Sequence, residues 1–322
     1  MSLSVQVVPI LDSRAVDVRR FTDVKVYSGE IKDEILPPAP PPCFLGSWYR
    51  KVLSSQDYWL GIEGLIELGE FTPDSNRFNL DGKGRYMDNP SIYMGGNSAR
   101  ESDAGLSLNV MYPTADTSYE LTLASPKLGY RPFWRYIYYE ASDIDGNVLR
   151  REVNSWNISH PKNLLYYYFP GDILRMSVYP PLPDYLQLRI EVVRPTAIPK
   201  YQKLRQGYQL PNNQPAAFYS PCFYSKGHGS NKAEFKRVNA IDQYGNEGYY
   251  AQPTKAKVSP AVWHEVYLYR EIAGEIRKVP FAANRYSSMI CPNQTAITVT
   301  PYNPEFGGEI IKIHPEKIRK EN

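Results

Sequence analysis

Short blocks of alternating polar and apolar residues, rich in tyrosine, recur along the chain and are separated by proline and glycine. Segments 133–140 (FWRYIYYE) and 262–270 (VWHEVYLYR) show this pattern. Successive side chains of a β-strand point to opposite faces of its sheet, so such blocks predict strands with one buried face. The chain has 27 Tyr and 28 Pro among 322 residues, and proline is confined to turns, edges and strand ends. The sequence therefore predicts many short strands joined by many turns.

The fold class follows from the spacing of these strands. Hairpin signals stand at Asp145 and Gly146, at Gly274, and at Gly307 and Gly308. No long amphipathic helix is indicated. Short strands with Pro/Gly turns favour an all-β fold, here a large antiparallel β-sandwich of the concanavalin-like jelly-roll type. Strands are predicted near 58–71, 105–112, 119–123, 133–140, 147–153, 164–169, 172–179, 185–193, 234–240, 262–270, 276–281, 295–300 and 309–313.

The chain divides into an extended N-terminal arm with its spacer, 1–42, and a sandwich domain, 43–322. Apolar residues within 1–36 are spaced as interrupted strand segments, and the prolines of 37–42 predict a stiff polyproline II spacer. Such an arm can fold back along its own sandwich, or it can add a strand to a neighbouring copy of the chain. Both arrangements stay open. Segment 194–233 is interpreted as a long crossover inside one sandwich.

Composition excludes several function classes. The net charge of +3 is too small to indicate nucleic-acid binding. No apolar run approaches the roughly 20 residues of a membrane-spanning helix. The first residues lack a basic stretch followed by a long apolar one, so no secretory signal is predicted and a soluble protein is expected.

The cysteine count allows two interpretations. Cys43, Cys222 and Cys291 are an odd number and contain no CxxC pair. Reduced, buried thiols are favoured. The alternative is a disulfide between Cys222 and Cys291 with Cys43 free.

Three segments carry a resemblance to a known family: 87–106 (MDNPSIYMGGNSARESDAGL), 127–134 (KLGYRPFW) and 226–254 (KGHGSNKAEFKRVNAIDQYGNEGYYAQPT). With them, roughly 58–314 resembles a family of uncharacterised β-rich proteins of spore-forming Gram-positive bacteria, many of them secreted. The resemblance implies a bacterial protein at the cell surface or on the spore. It brings no established function with it. The general pattern is also similar to concanavalin-type lectins and glucanases.

Candidate acid–base residues do not match a known catalytic pattern. Glu63 and Glu67 share a face of one predicted strand, with Leu65 where glucanases place an aspartate. Their Cα atoms would lie about 13 Å apart, whereas a retaining pair needs carboxyls about 5 to 5.5 Å apart. A solvent-facing pair is the better interpretation. His228 and Ser230 in 227–231 (GHGSN) lack a third partner and predict a glycine-rich hairpin loop.

Metal binding has one weak candidate. Segment 143–147 (DIDGN) departs from the EF-hand spacing and is better explained as a hairpin turn. The four histidines show no metal-ligand spacing. No cofactor is predicted, with calcium left open at the cluster Asp88, Asn89, Glu101 and Asp103.

Two aromatic rows are the strongest functional candidates. Tryptophan and tyrosine offer flat rings with a polar group, which suits the apolar faces and hydroxyl rims of sugars. Both rows can also be core, but we expect at least one to face outward. The sequence therefore predicts a non-catalytic protein that binds a polysaccharide. The alternative is a structural subunit that self-assembles with copies of itself through its arm into a fibre, coat or crystal. The rows are Trp134, Tyr136 and Tyr138 on one strand, and Trp263, Tyr267 and Tyr269 on another.

Overall fold

Two antiparallel β-sheets packed face to face form the described part of the chain. The computed structural model describes residues 21, 23–111, 127–140, 149–155, 166–207 and 217–316, with the backbone alone for 136–140 and 149–155. The strands are β1 (Ser47–Leu53), β2 (Trp59–Glu67), β3 (Phe71–Thr72), β4 (Asp88–Asn97), β5 (Glu101–Met111), β6 (Lys127–Glu140), β7 (Leu149–Ser155), β8 (Ile173–Leu182), β9 (Tyr185–Arg194), β10 (Phe218–Tyr219), β11 (Phe223–Tyr224), β12 (Glu234–Gln243), β13 (Lys257–Ile272), β14 (Glu275–Pro280), β15 (Ser287–Cys291), β16 (Ile297–Asn303) and β17 (Gly308–Ile313). Helical segments are α1 (Pro199–Gly207) and the 3-10 turns Ser75–Arg77, Ala283–Arg285, Gln294–Ala296 and Pro304–Phe306.

The described strands belong to two sheets of unequal size. The smaller sheet has seven strands in the order β15-β1-β12-β4-β5-β6-β7. The larger sheet has ten strands, with β10-β9-β8-β2-β13-β17-β16 in line; β11 pairs with β9, and β14 and β3 pair with β13. The predicted all-β antiparallel sandwich is confirmed.

The core lies between the two sheets. Ile62 and Ile66 of β2 point into it from the larger sheet, together with Val266 of β13. Leu106 of β5 and Phe235 of β12 meet them from the smaller sheet. From residue 62 onwards the even-numbered positions of β2 therefore face the core, and Glu63 faces the outer side of the larger sheet.

A buried ion triad links the sheets. Arg50 of β1 donates to both carboxylate oxygens of Glu309 on β17, at 3.2 and 2.6 Å. Arg237 of β12 lies 2.8 Å from the same carboxylate. Burial alone would raise the pKa of Glu309, but the charge of Arg237 and the hydrogen bond and charge of Arg50 outweigh it and lower that pKa to about 2.

The described part of the arm folds back on its own sandwich. Glu34 forms a bidentate pair with Arg285, at 2.7 and 3.0 Å. The amide of Ile35 donates to the Asp57 carboxylate at 3.0 Å. Arg270, from β13, contacts Asp33 at 3.1 Å. The alternative that the arm adds a strand to another copy therefore loses its basis in these residues.

Both interpretations of the cysteines are wrong. Cys43, at the end of the proline spacer, forms a disulfide with Cys291 of β15, with the Cα atoms 5.8 Å apart. Cys222 is a buried free thiol. The bond joins positions 248 residues apart, and spacing along the sequence carries no signal for a pairing of that kind.

Most predicted strands are present, and two of the missed ones, β1 and β4, share a cause. β1 and β4 are buried on both faces along most of their length, so they lack the alternation that identifies a half-exposed strand. The predicted strand 164–169 is not found in its described part, residues 166–169. The predicted crossover 194–233 contains α1, β10 and β11. The predicted strand 119–123 and the turn at Asp145 lie outside the described residues.

We expect Glu309→Gln to lower the free energy of unfolding by about 3 to 5 kcal/mol at pH 7, because it leaves Arg50 and Arg237 buried with no opposite charge. Since the folded-state pKa lies below the ordinary value of 4.5, the carboxylate's contribution is present above pH 4.5 and is lost as the pH falls towards 2. Urea denaturation at pH 7, 4 and 3 measures the difference, which should shrink in that order. Glu305→Gln, at an exposed position of the neighbouring turn, is the control. A difference that grows on acidification would contradict the assignment.

Candidate functional site

The first predicted aromatic row is not a surface row where the structure describes it. Trp134 of β6 is buried in the core between the sheets, where its ring lies 5.9 Å from that of Phe218. The side chains of Tyr136 and Tyr138 lie outside the described residues. Trp134 therefore has no face to offer a sugar.

The second row is split between two faces of the larger sheet. The register of β13 against β2 shifts between Trp263 and Glu265. This irregularity leaves Trp263 pointing into the core, where its Nε1 donates to Asn239 of the smaller sheet at 2.7 Å. Tyr267 and Tyr269 point to the outer face, but both are buried there. The prediction of exposed glycan-binding rows is therefore wrong for every ring that the structure describes.

Glu63, predicted to face solvent, is the buried acidic residue of this outer face. Its Oε2 accepts a hydrogen bond of 2.6 Å from the Tyr269 hydroxyl. Its Oε1 accepts one of 2.5 Å from Lys278 of β14, and Arg175 of β8 lies 3.7 Å away. Glu67, at the end of the same strand, is partly exposed beside His264 at 3.5 Å. The two glutamates thus have different environments and do not form a pair.

An aromatic slot lies beside Glu63 on the outer face. Tyr179 of β8 and Tyr269 of β13 are its walls, and Gly61 of β2 lies against both of them. Phe21 fills it: the Phe21 ring stacks on Tyr179 at 4.9 Å between centroids and meets Tyr269 edge-on at 5.3 Å. A side chain on Gly61 would begin 2.5 Å from the Val178 carbonyl oxygen and 3.0 Å from the Tyr269 ring. Glycine is therefore required there by the close approach of its neighbours.

Hydrogen bonds fix both walls of the slot. The Tyr179 hydroxyl donates to the Gln187 side chain at 2.9 Å, and that amide donates in turn to the Ser220 carbonyl at 2.9 Å. The Tyr269 hydroxyl is held by Glu63. Burial, and after it the charge of Glu63, raises the pKa of Tyr269 well above its usual value, so its hydroxyl stays protonated and able to donate.

A cavity of about 490 Å³ adjoins the slot. Its wall includes Ile31 and Asp33 of the arm, Tyr58 and Leu60 at the start of β2, and Arg270. Leu60 also packs against the Phe21, Tyr179 and Tyr269 cluster, so the cavity and the slot share a wall. The space is large enough for several residues of a bound chain.

The glycine-rich segment around His228 is structural. The Ser225 hydroxyl lies 2.8 Å from His228 Nδ1 and 2.5 Å from the Ser102 hydroxyl, and all three side chains are fully buried. Burial lowers the pKa of His228 to about 4, so the ring is neutral at pH 7. A serine next to a histidine is present, but no substrate can reach it.

The four predicted calcium ligands are not brought together. Asp88, at the start of β4, accepts from Arg77 at 2.8 Å, whereas Asp103 lies opposite Gly95, towards the other end of that strand. Asp103 is paired with Arg135 and Lys236, at 2.8 and 2.6 Å. Across the described ranges no group of three or more His, Cys, Asp or Glu is placed to hold a metal ion. This includes the predicted calcium ligands Asp88, Asn89, Glu101 and Asp103.

Sequence reasoning missed most of this site. Tyr269 was predicted to bind a glycan, not to hold a carboxylate. No motif or spacing in the sequence singles out the remaining residues of the site, Tyr179, Gln187, Lys278 and Phe21. One clue was available: glycine inside the alternating segment of β2 marks a place where other groups approach the backbone closely.

Comparisons with known proteins give structural neighbours only. No protein-family model and no curated protein matches the chain. Two solved structures of Scytalido-glutamic peptidase, with a peptide-based transition state analog and with a transition state analog inhibitor, each match at 9% identity and a TM-score of 0.44. SCP-B of the Eqolisin family of peptidases, in complex with the tripeptide Ala-Ile-His, matches at 9% identity and a TM-score of 0.39. Each match covers 83% of this chain and 98% of the other.

These neighbours contradict the predictions of a non-catalytic protein and of no enzymatic activity, because all three are peptidases. The glycan-binding function and its self-assembling alternative are corrected accordingly, in agreement with the buried rings and the folded-back arm. A likeness of this extent does not bring the neighbours' activity to this chain. The resemblance to the family from spore-forming bacteria stays a prediction. In the described residues, no helix is long and apolar enough to span a membrane.

We expect Trp263→Ala and Trp134→Ala each to lower the free energy of unfolding by about 3 to 5 kcal/mol, because each removes a large core side chain and leaves a cavity. Tyr250→Ala, at an exposed ring, should change it by less than about 0.5 kcal/mol. Chemical denaturation followed by circular dichroism measures all three variants. A tryptophan variant with native stability and weakened binding to a polysaccharide would restore the surface-row interpretation.

Proposed function

We propose that the protein is a hydrolase that cleaves peptide bonds on the outer face of the larger sheet, with Glu63 as its general base. The observation that carries the proposal is the Glu63 carboxylate, buried between the Tyr269 hydroxyl at 2.6 Å and the Lys278 ammonium at 2.5 Å, at the side of a slot that holds a phenyl ring of a polypeptide segment. Charged groups buried beside a concave surface are candidates for a functional site.

The partners of Glu63 suit a base that also returns a proton. A carboxylate offers about four acceptor positions, so a water molecule can bind to Glu63 beside the two donors. As the water oxygen forms its bond to the substrate carbonyl carbon, Glu63 takes a proton from the water. Lys278 and the Tyr269 hydroxyl are donors for the negative charge that develops on the carbonyl oxygen. Protonated Glu63 then passes its proton to the leaving nitrogen as the carbon–nitrogen bond breaks, which restores the carboxylate.

The substrate class is supported by the backbone next to Lys278. The amide of Tyr27 donates to the Lys278 carbonyl at 2.8 Å, and the amide of Lys278 donates to the Lys25 carbonyl at 3.0 Å. Val26 thereby forms a parallel bridge with Lys278. The outer edge of β14, which pairs here with the arm, can thus accept an extended polypeptide in the manner of strand addition, at the residue whose ammonium contacts Glu63.

Glu63→Gln should lower the rate of peptide cleavage by about 10²- to 10⁴-fold, the usual contribution of a general base. The matched control is Glu67→Gln, on the same strand and face but outside the slot, which should cleave at the native rate. Release of a fluorophore from a mixed library of quenched peptides measures the rate, for the native chain and in a Phe21→Ala background. Equal cleavage by Glu63→Gln, or no cleavage in either background, would overturn the proposal.

A further inference from the structure

Phe21 sits in the slot as a ligand would. It comes from the arm, not from a strand of the sandwich, and only 3% of it is exposed. Its ring makes one stacked and one edge-on contact, which are the two favoured geometries of aromatic pairs. The surface it covers is therefore shaped for a flat ring.

We infer that the slot between Tyr179 and Tyr269 is the specificity pocket of the proposed hydrolase, that it takes an aromatic side chain of the substrate, and that Phe21 fills it as an internal competitor. This inference rests on the proposed function, since it places substrate selection and cleavage in one site. It names both the substrate class, peptides with an aromatic residue beside the cleaved bond, and the way the site is kept closed.

The walls of the slot are held in place independently of Phe21. Tyr179 is tied to Gln187, and Tyr269 to Glu63. Gly61, against both walls, is placed by the backbone of β2, whose register with β13 shifts between Tyr269 and Arg270 and leaves Leu60 without a backbone partner on β13. A pocket whose shape is set by its own hydrogen bonds stays formed when its occupant leaves, which favours binding of an exchangeable ring.

Tyr269 connects the pocket to the chemistry. Its ring is one wall of the slot, and its hydroxyl contacts the Glu63 carboxylate at 2.6 Å. An aromatic side chain in the slot therefore packs against the tyrosine that holds the Glu63 carboxylate. The bond next to that aromatic residue is the one expected to be cleaved.

The arm near Phe21 is attached by few contacts, so exchange is feasible. Lys25 and Val26 are exposed, with Val26 48% accessible, and within the described residues 23–30 the backbone pairs with the sandwich through two bonds with Lys278. A tethered ring still competes strongly, because a short tether gives an effective concentration on the order of millimolar. Free substrate at micromolar concentration would thus bind the native chain weakly.

Binding is tested by calorimetry on the full chain with two probes, N-acetylphenylalanine amide and N-acetylalanine amide. Phe21→Ala should bind the phenylalanine probe at least about tenfold more tightly than the native chain does, and more tightly than the alanine probe by a similar factor, because a ring gains far more from burial than a methyl group. Phe44→Ala is the matched control: it removes a phenyl ring stacked on Tyr49 at 3.8 Å, on the smaller sheet, and should behave like the native chain.

Cleavage is measured in parallel on two quenched peptides that differ only in Phe or Ala beside the central bond. Phe21→Ala should raise the rate for the phenylalanine peptide by about tenfold or more and leave the alanine peptide near its native rate. Binding of the phenylalanine probe without any cleavage would support the pocket and overturn the hydrolase. Cleavage that needs Glu63 but is equal for both peptides and unchanged by Phe21→Ala would overturn the pocket and keep the hydrolase.

Folding of the variants is checked by circular dichroism. If Phe21→Ala unfolds, Phe21→Leu replaces it, since leucine keeps part of the apolar contact and leaves the slot incompletely filled. This variant should bind the phenylalanine probe more tightly than the native chain. Equal binding by the two would overturn the inference.

Discussion

The register of β13 against β2 determines which face of the larger sheet each aromatic side chain of β13 occupies. One shift, between Trp263 and Glu265, sends Trp263 into the core and leaves Tyr267 and Tyr269 on the outer face. A second shift, between Tyr269 and Arg270, places Leu60 on the outer face as well, where it packs against the slot. A change of register by one residue exchanges the two faces of a strand, so these shifts have large consequences. Without them the three aromatic residues of β13 would form one row, and the slot next to Glu63 would not exist.

The outer face combines groups that are costly to bury with groups that offset the cost. Glu63 is almost fully buried, and Lys278 and Tyr269 compensate the loss of water around its carboxylate. Phe21 completes this arrangement by covering it. The Arg50, Glu309 and Arg237 triad plays a comparable part between the sheets, where its pairing is structural. The neighbouring cavity is what distinguishes a site from a buried ion pair.

The sequence allowed the fold class and most half-exposed strands to be predicted, because alternation is a local property. β1 and β4 escaped prediction, since burial on both faces removes the alternation. The site was beyond reach for a different reason: Glu63 and Tyr269 are 206 positions apart, and the disulfide joins residues 248 apart. Such pairings depend on the sheet order and on single-residue bulges, neither of which is encoded in the spacing near Glu63. The glycine at position 61 was the one local indication.

The central claim is that the slot is a binding pocket which Phe21 occupies in place of a substrate ring. A crystal structure of the Phe21→Ala variant grown with N-acetylphenylalanine amide tests this most directly. The phenyl ring of the added compound should lie between Tyr179 and Tyr269, with its amide directed towards Glu63 and both wall tyrosines in their original positions. A collapsed slot, with the two tyrosines packed against each other and no bound compound, would show that Phe21 is a core residue and that the outer face is not a site.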